Sequence, residues 1–209
     1  MANTKRNRKK TQKKGFDPSN TEVLSIALIG TGLLYLLALI SFTPNDLPTW
    51  VPFGRLAEPN SPAHNFVGRL GAVGAGFSYY IIGAAAYLIP ACLIWFGTAK
   101  LLFGARTSRR SLIGFGLLVL SGCCLLQFQT WFFKGWPEAF NIPGAGGIIG
   151  SWIGAGLFAG LTGTVGAFMI MFAVYCAAVV MVTGFHPMHF FDLCRDSFYA
   201  WREARSPVP

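Results

Sequence analysis

The stretch SPAHNFVGRLGAVGAGFSYY, residues 61–80, carries glycines at 68, 71, 74 and 76 directly ahead of a long apolar run. Two kinds of structure use glycine this way. A nucleotide loop needs GxGxxG after a strand, or GxxxxGK followed by Ser or Thr, because backbone N–H groups must converge on an anion at a helix start. Neither spacing is present and no strand-like run precedes the stretch. Lys14-Gly15 and Lys134-Gly135 also lack the hydroxyl partner in the required order. The other use is close approach of helices inside a membrane, where small residues let backbones meet.

Composition decides between the two. The chain has 209 residues, 53% hydrophobic and only 12% charged, against about 25% charged in an ordinary soluble domain. The charges are also segregated: no Asp, Glu, Lys, Arg or His lies within 23–42, 73–98, 111–131 or 164–184. Each run is long enough to cross a hydrocarbon core of about 30 Å as a helix, which satisfies its own backbone polar groups. The expectation is an all-α integral membrane protein with four transmembrane helices over these windows, forming one domain over 21–185.

The basic residues orient it. Lys5, Arg6, Arg8, Lys9, Lys10, Lys13 and Lys14 precede the first span, Lys100, Arg106, Arg109 and Arg110 lie between the second and third, and Arg195, Arg202 and Arg205 follow the fourth. Only Arg55, Arg69 and Lys134 fall on the other side. Fourteen against three places both termini and the 99–110 loop in the cytoplasm by the positive-inside rule. The first apolar run exceeds the 7–15 residues of a signal-peptide core, and no A-x-A-like site follows it, so it stays as an anchor.

From Gly146 to Gly184 the chain is continuously apolar. One helix of that length would run to roughly 58 Å, so it must break. Gly160, Gly163 and Gly166, with Thr162 and Thr164, are its weakest helix formers and mark the break. Ahead of it, GGIIGSWIGAGLFAG reads as a short outer-face or re-entrant helix with Gly146, Gly150 and Gly154 on one face. That face either joins protomers or packs within the bundle. Pro90, inside span two, removes an N–H and predicts a kink there.

Little of the remaining chemistry points to an enzyme. Cys92, Cys123, Cys124 and Cys176 sit in apolar runs as small hydrophobes, and Cys194 is expected in the reducing cytoplasm, so no disulfide is expected. His186, His189 and Asp192 recur at three-residue intervals, a spacing open to a metal. The competing reading is an interfacial helix over 186–209, with Pro187 in its first turn and Phe190, Phe191, Phe198, Tyr199 and Trp201 among the arginines. A transporter needs ionisable groups within its spans. These spans have none; Gln127 and Gln129 are the most polar candidates there and suit hydrogen bonds between helices. No cofactor and no metal is expected.

Four motifs in order, SFTPNDLPTW after span one, HNFVGRLGA leading into span two, GAAAYLIP within it and GGIIGSWIG before span four, resemble the four-helix N-terminal membrane domain of the FtsK/SpoIIIE DNA translocases. The resemblance covers roughly residues 17–185. It implies close backbone approach at Gly68, Gly71 and Ala72, and with them Gly83, Pro90, Gly146, Gly150 and Gly154 are expected to serve helix packing and assembly. It also implies a bacterial inner-membrane, multi-pass protein at the division septum that self-associates, with a hexamer as the family's form, and meets cell-division proteins during chromosome partition. In that family a linker leads to a RecA-like motor. This sequence runs to Pro209 without a Walker motif, so neither ATP hydrolysis nor translocation is assigned to it, and SPVP reads as the start of a linker. The alternative is a stand-alone tetraspan protein, such as a transporter subunit or membrane-bound enzyme.

Residues 1–20 carry seven cationic side chains and one acid, a composition that favours disorder and attraction to polyanions. Anionic lipid is the nearer partner, at about 1 kcal/mol per Lys or Arg. DNA is the alternative, reached weakly through phosphate contacts alone. The charge asymmetry makes a direct prediction. In a cysteine-free background, single cysteines at Asn60 and Glu138 should react with an impermeant reagent applied outside the inner membrane, and one at Ser108 should not. Labelling of Ser108 alone would reverse the orientation.

Overall fold

The structure is a computed structural model that describes residues 18–54, 58–104, 108–129, 131–184, 195–199 and 201–202. Among these residues all regular structure is helical, and four helical stretches are long and apolar enough to cross a membrane. The protein is a multi-pass membrane protein. Helix α1 runs over Pro18–Ile40, α2 over Gly68–Ile82, α3 over Leu88–Phe103, α4 over Arg109–Phe128, α5 over Trp136–Phe140, α6 over Gly147–Ile149 and α7 over Ala159–Thr183. A 3₁₀ segment, Gly83–Tyr87, joins α2 to α3, and a π-helical segment, Gly150–Phe158, joins α6 to α7.

Two stretches are too long for one crossing. Gly68–Phe103 and Gly147–Thr183 have 36 and 37 residues, nearly twice what about 30 Å of hydrocarbon accommodates. Each is broken at a glycine. Gly83 has φ 60° and ψ −143°, and Gly163 has φ 73° and ψ 163°, backbone conformations that an L side chain resists. The second break falls within the 160–166 window read from composition. The first does not fall at Pro90, which is the third residue of α3. There its missing N–H belongs to the first helical turn, which has no intrahelical acceptor to lose, so the proline starts a helix instead of bending one.

The breaks reveal a repeat. Positive-φ glycines among the described residues are Gly68, Gly83 and Gly104, then Gly147, Gly163 and Gly184. In each triplet the first opens a helix, the second ends it and the third closes the following span. The last interval is 21 residues in both triplets. Each half therefore holds one crossing, a glycine-rich helix laid across its far end, and a second crossing that returns antiparallel to the first. The far end is the side opposite Pro18 and Thr183.

Within each half, small residues bring the crossings together. A Cβ on Gly97 would lie 2.9 Å from the Ser25 carbonyl oxygen, and one on Gly32 would lie 3.2 Å from that of Pro90, so α1 and α3 pack backbone to backbone. Gly114 does the same for α4 against α7, where its Cβ would lie 2.6 Å from that of Met181. This contact supplies what lipid cannot, since hydrocarbon solvates Leu as well as a neighbouring helix does. Ser108 opens α4, its Oγ accepting from Ser111 N at 3.1 Å. That cap explains why α4 starts at Arg109, ahead of the first residue free of charge.

The glycine-rich helices do not run along their partners. Asn65 and Tyr79, at opposite ends of the α2 region, bond to Ala38 and Leu39, neighbours on α1. In the second half, Gly146, Gly150 and Gly154 all meet α4 between Cys123 and Gln127. Both helices cross the far end of a span and leave the span itself to α3 or to the part of α7 beyond Gly163.

The two halves are joined where irregular backbone meets irregular backbone. Ala84 N donates to the Ala145 carbonyl at 2.8 Å. A Cβ on Gly83 would overlap that same carbonyl oxygen, and one on Gly147 would come within 2.6 Å of Gly83 N. Replacing Gly83 or Gly147 with Ala should therefore destabilise the protein by more than about 2 kcal/mol, since positive φ alone costs a side chain roughly 1–2 kcal/mol. Gly74, where an added Cβ would meet nothing within 4 Å, should tolerate Ala within about 1 kcal/mol. Thermal unfolding in detergent separates the outcomes, and equal midpoints for all three variants would contradict the junction.

Candidate functional site

The far end is where loops, helix ends and polar groups converge. Pro44 opens one 3₁₀ turn, Pro44–Asp46, which carries the Asp46 side chain inward until it is 1% exposed. Its Oδ1 accepts from Asn60 Nδ2 at 2.8 Å and from His64 N at 3.0 Å, and its Oδ2 accepts from Asn65 N at 2.8 Å. Asn65 continues the chain of bonds. Its Nδ2 donates to the Ala38 carbonyl at 2.8 Å and its Oδ1 accepts from Val67 N at 3.0 Å, which places the start of α2 against the end of α1. A buried carboxylate is costly unless its lone pairs are filled. Here three N–H donors fill them, and the loop between α1 and α2 is held by that requirement.

An aromatic cluster ties this loop to the second half. Tyr79, fully buried, lies 5.3 Å from the rings of both Phe42 and Phe140, 5.6 Å from Trp136 and 6.1 Å from Tyr87. Its hydroxyl donates to the Leu39 carbonyl at 2.9 Å and pairs with the Tyr87 hydroxyl at 2.8 Å. Asn141 Nδ2 donates to the Phe53 carbonyl at 2.9 Å, and Phe53 stacks on Tyr80 at 4.4 Å. Gln127 Oε1 accepts from Gly146 N at 3.2 Å, a bond from α4 to the loop ahead of α6. Gln129 instead closes a local turn, accepting from Phe132 N at 3.0 Å. Around this core Trp50, Trp131 and Trp152 are exposed, as amphipathic rings are at a membrane interface, and Phe66 and Phe132 are exposed beside them.

The glycines picked out by sequence divide into different uses. Gly146, Gly150 and Gly154 face α4 of the same chain, where Gly154 meets the Cys124 backbone, so this stripe is packing within the bundle. Gly83 belongs to the junction between halves. Gly71 makes room for Asn65 and Val67 of its own chain, and Ala72 is fully buried. Gly68 has φ 69° and nothing within 4 Å of a Cβ, so its use is conformational and not close helix approach. Pro90 is buried at the start of α3. Lys5, Arg6, Arg8, Lys9, Lys10, Lys13 and Lys14 lie outside the described residues, as do His186, His189, Asp192 and Cys194.

Asp46, Asn65 and Tyr79 were not picked out by sequence. A lone Asp between two prolines reads as a solvated turn, and its only signal is the TPND turn chemistry with Asn60 and Asn65 downstream. The arrangement holds a rigid surface; it does not resemble a reacting centre. Asp46, Asn60 and Asn65 are consumed by internal bonds, and the Tyr79 and Tyr87 hydroxyls are paired.

A family described as the 4TM region of the DNA translocases FtsK/SpoIIIE matches residues 19–195. The chain belongs to this family. The match takes in every described span, the Asp46 loop and the junction of the halves. A DNA translocase FtsK from Pseudomonas aeruginosa is 28% identical over 197 residues, covering 85% of this chain and 23% of that protein. The chain thus spans about a quarter of the length of this curated relative. No solved structure matches.

For this FtsK/SpoIIIE membrane region, Asp46→Ala leaves three buried or half-buried donors without an acceptor. Each uncompensated group costs about 1–3 kcal/mol, so the variant should melt well below wild type and be cut by protease between residues 41 and 67. Asp46→Asn, which keeps the shape and one acceptor oxygen, should fall between the two. Wild-type protease resistance in Asp46→Ala would remove the carboxylate from its organising role.

Proposed function

We propose that these residues form the membrane anchor, assembly and septum-targeting domain of a cell-division DNA translocase acting in chromosome segregation. The observation that carries the reading is the family match across the whole helical region, from 19 to 195. In this reading the protein sits in the bacterial inner membrane with both termini in the cytoplasm. The basic tail lies against the anionic inner leaflet, and the far end faces outward. DNA is handled by a motor outside these residues, which themselves neither hydrolyse ATP nor translocate DNA.

The architecture supports this assignment in two ways. Internal bonds fix the far-end loops, so they present a preformed surface of exposed tryptophan and phenylalanine to other cell-division proteins, and preformed surfaces bind with less ordering cost. The charge-free windows of the four spans hold no Asp, Glu, Lys, Arg or His, which disfavours a proton- or ion-coupled transporter. Self-association, with the hexamer of the family as its form, would use the lipid-facing sides of the spans.

The test is localisation. The full 209-residue chain fused to a fluorescent reporter should concentrate at the division site in dividing cells, while the purified protein should show no ATPase activity. An intact fusion spread evenly around the membrane would overturn the septal reading and favour a stand-alone tetraspan protein.

A further inference from the structure

Between the two halves lies a cavity of about 260 Å³. One wall is Ala84, Ala85 and Leu88 from the first half; the other is Gly122, Leu125 and Leu126 of α4, and the rings of Tyr87 and Tyr175 close it. Small residues create the space. Gly122 has no room for a side chain without moving Leu88, whose Cδ1 would lie 2.9 Å from a Cβ there. We propose that this cavity is a binding site for one acyl chain of a membrane phospholipid.

Three observations favour that occupant. Apart from the Tyr175 hydroxyl the wall is almost entirely carbon, since the Tyr87 hydroxyl is already paired with Tyr79, so a water would find too few partners to be held there. The cavity is only half enclosed, and Leu88, Leu125, Leu126 and Tyr175 are half-buried, so it opens sideways between the helix pairs. Its depth is that of the acyl chains: Gly122 lies well inside α4 and Tyr175 inside the stretch of α7 beyond Gly163. Left empty, the lining would lose dispersion contacts on one side. A chain entering from the side restores them while its headgroup stays at the surface.

The position explains why the seam needs a filler. The halves join through backbone at Gly83 and Ala145, and again where Phe96 meets Phe115 at 6.5 Å beside Cys92 and Leu118. Between those two contacts Ala85 and Leu88 meet α4 at Gly122, and the cavity lies beside that meeting. A lipid chain held there would be a third element of the core, and not part of the general annulus around it.

The experiment uses the full chain in phosphatidylcholine vesicles containing a phosphatidylcholine with a mid-chain diazirine. After illumination and peptide mapping, adducts at Leu88, Leu125 or Leu126 should exceed those on the exposed Leu33 of α1 severalfold, and those on Leu34, which lines a shallower groove against α2, serve as a second reference. Ala84→Leu should fill the cavity, and Gly122→Ala should push Leu88 into it. Both should lower adducts in the cavity severalfold and leave those on Leu33 and Leu34 unchanged, which shows that the variants are folded. Cavity adducts no more frequent than those on α1, or equally frequent in wild type and both variants, would overturn the proposal. So would Ala84→Leu melting above a wild type that carries no cavity adduct, since the cavity would then be empty.

Discussion

Everything at the far end depends on placing non-helical backbone inside a membrane protein without leaving its polar groups bare. In hydrocarbon an unpaired N–H or C=O costs several kcal/mol, so a chain that breaks a helix there must bury the break in protein. Gly83 is broken in this way. Its neighbour Ala84 donates to Ala145, a residue of the opposite half, and the glycines at 83 and 147 remove the side chains that would hold the two backbones apart. One hydrogen bond therefore does two things: it satisfies the break and it joins the halves.

The second break is solved differently. Gly163 is exposed, and the hydroxyl of Thr162 reaches back to the Phe158 carbonyl at 2.9 Å. From Gly163 to Thr183 a helix already covers about 30 Å at 1.5 Å per residue, and residues 160–165 are exposed, so this elbow is not covered by protein as Gly83 is. The same 21-residue interval thus ends in two environments. The first half is the clasped one, and the Asp46 knot and the Tyr79 cluster are built around its clasp.

Much of the fold was legible from charge alone. Four windows free of Asp, Glu, Lys, Arg and His match four crossings in number, because excluding charge from hydrocarbon is a strong constraint. The second window, 73–98, also takes in most of α2 and the 3₁₀ segment, so the crossing there is Leu88–Phe103. The impossibility of a single helix from Gly146 to Gly184 located the Gly163 break. The Gly83 break was hidden because Gly-Ala-Ala-Ala has no strong helix breaker beyond one glycine, whereas Pro90 nearby advertises one. What decides the matter is a carbonyl from Ala145, far away in sequence. The site was less legible for the same reason: Asp46 matters through Asn60, His64 N and Asn65, and the glycine stripe at 146, 150 and 154 could equally have faced another protomer until α4 was seen against it.

The most direct test of this account is the amide of Ala84. It lies in a short 3₁₀ segment, outside any α-helical ladder, and such an amide ordinarily exchanges with solvent quickly. If it donates to Ala145 within a buried junction, its hydrogen exchange, read by NMR on protein labelled with 15N-alanine, should be as slow as that of alanines inside the α3 and α7 crossings. Exchange at the rate of a surface loop would contradict the clasp, and with it the view that two repeats are joined through their glycine breaks.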